Sequence, residues 1–201
     1  MGVFVVTALL LAQPAPAQTT GTPSFNAPYR AFGRHEFGAT LSFPRGGGTA
    51  AEGQYRFGYR TVDVGLRGGV FFPSGASDNR VLVGALARNR VLTHRPQFPL
   101  DGAVVLGGGL SFNGGTGVRA IGGLSLGRRI DLENSPVSII PYAQPSLFLT
   151  NVPAVVGRDT KLDIGVGFGA DFRLSEFFDA RISVGIGNGP EGVSLSAVWL
   201  R

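Results

Sequence analysis

Residues 161–174 read Lys-Leu-Asp-Ile-Gly-Val-Gly-Phe-Gly-Ala-Asp-Phe-Arg-Leu. Leu162, Ile164, Val166, Phe168, Ala170, Phe172 and Leu174 fall at one parity, while Asp163, three glycines, Asp171 and Arg173 fall at the other. Side chains of a strand point to alternate sides with a period of two, so this segment has one continuous apolar face and one that is polar or bare. Repeated segments of about ten residues with this pattern are the signature of a transmembrane β-barrel.

The pattern recurs outward in both directions. Upstream, strands are expected at about 34–43, 53–60, 62–72, 80–88, 100–112, 118–128 and 138–149; downstream, at about 179–187 and from Val193 to Leu200. Turn chemistry separates them: Pro44-Arg-Gly-Gly-Gly, Pro73-Ser-Gly-Ala-Ser-Asp-Asn, Asn113-Gly-Gly-Thr-Gly and Asn188-Gly-Pro-Glu-Gly. With 161–174 the count is ten, the even number expected of a single-chain bacterial barrel; discounting the weakly patterned fourth and seventh leaves eight. In the fourth both faces are apolar and the register stays open, and in the seventh Pro141 and Pro145 remove ladder donors and predict a distortion.

The bulk numbers agree with one all-β domain. The 201 residues include 32 glycines interleaved with Val, Leu, Ile and Phe, and only 15% are charged. No Gly-X-Y period is present, which excludes collagen. The net charge of +5 comes from arginines scattered singly along the strands, not from a basic cluster of the kind that tracks nucleic acid. Cysteine is absent, so disulfides, thiolate metal sites and a lipid-bearing cysteine are excluded; two histidines, His35 and His94, make a poor metal set. Gly165-Val-Gly-Phe-Gly-Ala matches a dinucleotide fingerprint by letter, but a strand continues where that motif needs a helix. No cofactor is expected.

Residues 2–12 form one apolar run, too short for a membrane helix of about 20 residues, and Ala15-Pro16-Ala17 follows as a small-residue cleavage site. Residues 1–17 therefore read as a secretory signal peptide, although no Lys or Arg precedes the run. Residues 18–33, rich in Thr, Pro and Gly, are expected to be a flexible periplasmic tail, and 34–201 the barrel.

A secreted soluble β-sandwich binding module would alternate too, with its apolar face packed on a second sheet. Three features favour the barrel. The apolar face is uniform from strand to strand. The opposite face combines glycine with isolated charges, Glu36, Arg56, Arg60, Asp63, Arg67, Arg119, Asp171, Arg173, Asp179 and Arg181, which suits a narrow interior where long planar side chains pair with carboxylates. Aromatic residues (Phe43, Tyr55, Phe72, Phe112, Phe148, Phe172, Trp199) stand near strand ends, as interfacial girdles do.

The leader with Ala15-Pro-Ala17, the amphipathic strands from 34 onward and the last strand with Val193, Leu195, Ala197 and Trp199 together resemble the small outer-membrane β-barrel proteins of Gram-negative bacteria, including OmpX-like and OmpW-like barrels. Such proteins usually end in an aromatic residue read by the barrel assembly machinery; here Leu200 and Arg201 follow Trp199. The resemblance implies an up-and-down antiparallel transmembrane barrel in the outer membrane, monomeric, with that machinery and membrane lipid as its partners. It also implies periplasmic termini, which places 44–52, 73–79, 113–117, 150–160 and 188–192 outside the cell.

Barrel enzymes that act on lipopolysaccharide or peptides work at the external rim, and both histidines map to the opposite end. General acid–base chemistry needs partners within hydrogen-bond reach, and no such constellation is visible, so an enzyme is the alternative and not the main reading. The main expectation is a structural or limited passive-permeation (porin-like) role. Arg67, Arg119, Arg173 and Arg181 are read as paired with carboxylates across the interior in preference to selecting a solute.

Overall fold

The computed structural model describes residues 19–28, 34–75, 77–113, 115–153 and 157–201. The signal peptide expected at 1–17 lies outside the described residues, as do 18 and 29–33 of the expected tail.

Period-two patterning becomes strand wherever the sequence carries it. The elements are β1 (His35–Pro44), β2 (Thr49–Tyr59), β3 (Val62–Phe72), β4 (Arg80–Leu92), β5 (Asp101–Phe112), β6 (Thr116–Gly127), β7 (Ile130–Asp131), β8 (Ser138–Pro153), β9 (Arg158–Arg173), β10 (Phe178–Gly187) and β11 (Gly192–Leu200). Long strands adjacent in the chain pair antiparallel; β1 pairs with β11 and β6 with β8, so the sheet closes on itself. The result is an up-and-down barrel of ten long strands rather than eight, with the two-residue β7 added beside β8. Closure leaves no long unpaired edge.

The two weakly patterned strands are both part of the wall. In β4 the pairs Arg67↔Gly84 and Ala85↔Gly108 fix the register. Leu82, Gly84, Leu86 and Arg88 then share the inward face, and Val81, Val83, Ala85 and Ala87 the outward one. In β8 the pairing with β9 runs unbroken through Pro141 and Pro145, both of which face outward. Toward β6 the ladder passes from Gly123↔Ser146 directly to Leu126↔Ala143. The distortion is thus confined to one side of β8, where the Pro145 nitrogen has no hydrogen to donate.

Burial is inverted relative to a water-soluble domain. Among the described residues 34 large hydrophobic side chains are exposed, while 27 polar or charged residues are buried. Every wall strand contributes to the outer apolar surface: Phe37, Phe57, Leu66, Val83, Leu106, Val118, Leu147, Ile164, Ile186 and Leu195, in chain order. Exposed aromatics gather toward the two ends, with Phe37, Phe57, Tyr59 and Trp199 at the end holding the chain's last residue, and Phe43, Phe72 and Phe112 at the other. Phe148 does not belong to either group. Its parity on β8 points inward, and it is buried with Phe25, Ile121, Ile140 and Tyr142 in an apolar cluster inside the barrel.

Candidate functional site in the barrel interior

Something fills the barrel. Residues 19–28, expected to be a loose tail, are buried along their whole length and run through the interior. Lacking a ladder, this extended segment has its carbonyls capped by wall side chains. The Ser183 hydroxyl donates to the Pro23 carbonyl (2.8 Å) and accepts from the Phe25 N–H (3.1 Å). Arg67 donates to the carbonyl (3.3 Å) and hydroxyl (2.7 Å) of Ser24. Ser125 donates to the Asn26 carbonyl (3.0 Å), and Arg88 to that of Ala27. At the far end the Thr22 hydroxyl donates to Glu52 Oε2 at 2.7 Å. Buried backbone polar groups are costly unless paired, and here the wall supplies the partners.

The inward glycines make room for the segment. A Cβ on Gly84 would lie 2.9 Å from Thr19 Cβ, and one on Gly107 or Gly109 would also collide with Thr19. On the opposite wall Gly167 and Gly185 lie against the ring of Phe25. The high glycine content of the inner face is therefore a space requirement of the contents.

Below this packing, toward the end where the chain finishes, lies an ion network. Arg181 grips Glu36 through two hydrogen bonds (2.7 and 2.8 Å), donates to Asn26 Oδ1 (2.9 Å) and forms an ion pair with Asp171 (3.1 Å). Arg56 and Arg88 share Asp63, at 2.8 and 2.7 Å. Gln54 joins the halves, donating to Glu36 (3.4 Å) and accepting from Arg67 (2.9 Å). Four buried carboxylates (Glu36, Asp63, Asp171, Asp179) stand among four buried guanidiniums (Arg56, Arg67, Arg88, Arg181), with the half-buried Arg173 at their margin, so opposite charges are interleaved throughout. Bidentate, fully desolvated arginine–carboxylate pairs fix geometry strongly, and removing one member leaves its partner's charge stranded.

Of the ten charges placed on the inner face by sequence, Glu36, Arg56, Asp63, Arg67, Arg119, Asp171, Asp179 and Arg181 are buried there, and Arg173 is half-buried directly opposite Asp179. Arg60 is not inside. It is exposed in the reversal between β2 and β3 with φ 55°, and its guanidinium lies over the ring of Tyr59 at 5.3 Å. The strand ends one residue before it, so its parity no longer dictates a side.

Arg119 departs in another way. It is buried on β6, yet among the described residues no carboxylate lies within ion-pair distance of it. Its near charge is Arg80. Sequence reasoning missed the buried charges Arg88 and Glu52. Arg88 was hidden by the two-sided apolarity of β4, although its parity with Gly84 marks it as inward. Glu52 precedes the expected second strand but shares the parity of Gln54 and Arg56, which that strand's pattern places together.

Cavities lie between segment and wall among the described residues: one of about 20 Å³ is bordered by Asn26, Gln54, Arg56 and Arg67, and another of about 20 Å³ by Thr20, Thr22, Arg80 and Arg119. Each has room for about one water molecule. His35 hydrogen-bonds the Tyr55 hydroxyl through Nδ1 (2.6 Å) on the outer surface, and the His94 N–H donates to Asp101 (3.1 Å); both histidines lie toward the end of the barrel where the chain finishes. Among the described residues no group of three or more His, Cys, Asp or Glu is placed to hold a metal ion. No known family model matches the chain, and no curated protein matches its sequence.

Proposed function

We propose that this protein is an integral outer-membrane β-barrel of the Gram-negative envelope, plugged by its own N-terminal segment, with a structural and non-enzymatic role. The observation that carries the proposal is the outer surface. A closed band of Phe, Leu, Ile and Val on all ten wall strands is exposed while the polar residues are inside. Soluble monomers rarely expose contiguous apolar patches beyond a few hundred Å², and hydrocarbon is the solvent that such a band fits. Aromatic residues toward both ends of the barrel suit the two membrane interfaces. Lipid and the barrel assembly machinery are then its partners, and the closed sheet gives a monomer with no free edge to share.

A plug is favoured over an open pore because residues 19–28 are buried and hydrogen-bonded along the interior, with gaps of about 20 Å³ beside them. Planar-bilayer recordings of refolded protein test this. The full chain is expected to give a flat trace, and a variant lacking residues 19–28 is expected to give discrete conductance steps, with folding of both checked by the gel shift on boiling in detergent. Steps from the full chain would replace the plugged reading with permeation. A chain that stays dispersed without lipid or detergent would remove the membrane reading altogether.

A further inference from the structure

Away from the ion network, Arg80 and Arg119 stand together on the inner side of the wall. Arg119 is 5% exposed, and Arg80, the first residue of β4, is half-buried. The Nε atoms of both are buried without a hydrogen-bond partner. Among the described residues neither arginine has a carboxylate within ion-pair distance; the Arg80 guanidinium instead lies over the Phe71 ring at 5.8 Å. Glu52, also buried, accepts from the Thr22 hydroxyl through Oε2 and forms no ion pair with either arginine. A buried guanidinium thus stands beside a half-buried one of the same sign, an arrangement that is costly unless a counter-charge is present.

Both arginines border the same cavity, lined also by Phe71, Leu82 and Ser111 on the wall and by Thr20, Gly21 and Thr22 on the inner segment. We propose that this cavity is a binding site for a monatomic anion of chloride size. Two guanidiniums offer charge-assisted N–H donors and Ser111 offers a hydroxyl, a donor set with no competing acceptor among the lining side chains other than the threonine and serine oxygens. The volume of about 20 Å³ sets the size. It exceeds the roughly 10–15 Å³ needed by one water-sized occupant and is small for a four-oxygen anion. A bound halide would tie β4, β6 and the inner segment at one point, securing the segment at the end opposite the ion network. The inference concerns the interior alone and does not depend on which medium wets the outside.

The test compares unfolding midpoints of detergent-refolded protein in sodium chloride, bromide, sulfate and gluconate at matched ionic strength. Chloride and bromide are expected to raise the midpoint in a saturable way over gluconate, with sulfate no better than gluconate. Arg119→Gln should lose the halide shift, while Arg45→Gln, which alters the exposed Arg45–Glu191 pair, should keep it. Crystals grown in bromide should show an anomalous peak between the two guanidiniums. Equal midpoints in all four salts, a shift retained by Arg119→Gln, or a water in place of bromide would each overturn the site. A response to sulfate equal to that of chloride would overturn the assigned size. Should Arg119→Gln not fold, the wild-type salt series and the bromide peak still decide.

Discussion

Gly167→Ala tests whether the inner glycines exist to admit the segment. Gly167 is on the inward face of β9, and an added methyl would sit 2.6 Å from Phe25 Cδ2, closer still to its neighbours in the ring. The ring cannot simply retreat. Its own backbone N–H is held by Ser183, and it packs within the buried cluster of Ile121, Ile140, Tyr142 and Phe148. Overpacking of this kind costs roughly 1–3 kcal/mol. Phe25→Ala removes a fully buried aromatic side chain and should cost about 3–5 kcal/mol. In the double variant the new methyl occupies space the ring vacated, so the two costs should fall short of their sum by most of the overpacking cost, about 1–3 kcal/mol. Gly53→Ala is the control, because its methyl would face outward with only the Gly68 carbonyl at 4.0 Å; it should stay within about 0.5 kcal/mol of wild type. Urea unfolding in lipid vesicles provides the assay, followed by fluorescence of the single tryptophan, Trp199, which is exposed on the outer face. A neutral Gly167→Ala, or strict additivity in the double variant, would show that the segment does not rest against β9.

Two further predictions address the outside and the ion network. Val166→Arg puts a charge on the outer face beside Pro145 and Ile186 and should cost roughly 2–4 kcal/mol near mid-membrane; an undiminished refolding yield in vesicles would contradict a lipid-facing surface. Arg181→Met strands Glu36 and Asp171 without the cation both share and should destabilise the protein by about 3–5 kcal/mol, read as a lowered urea midpoint.

The wall was legible in the sequence because period-two patterning is a local property: Leu162 to Leu174 declares its two faces without reference to anything else. What stayed hidden depends on distant partners. Thr, Pro and Gly at 19–28 have the chemistry of a loop, and nothing nearby says that Ser183, Ser125 and Arg67 will cap their carbonyls. The available clue was on the other side of the contact. Inward glycines at 84, 107, 109, 167 and 185 describe a wall with space beside it, and space in a protein interior is filled. Arg88 was obscured because Leu82 and Leu86 made the inner face of β4 look like a second outer one. Arg60 was misplaced because parity was carried one residue past the point where the strand turns. Pairing of Arg119 was expected from the general cost of buried charge, yet Glu36, Asp63 and Asp171 pair with other arginines toward the opposite end of the barrel.

Arg181 joins residues separated by most of the polypeptide: it holds Glu36 from 145 positions away and Asn26 from 155. An assembling chain that has laid down its first nine strands but lacks β10 carries an early acidic group whose counter-ion has not arrived. Asp63, Arg56 and Arg88 can pair within the first strands, but Glu36 keeps an unmatched charge until β10 docks, so closing the barrel relieves a cost carried from its opening strand.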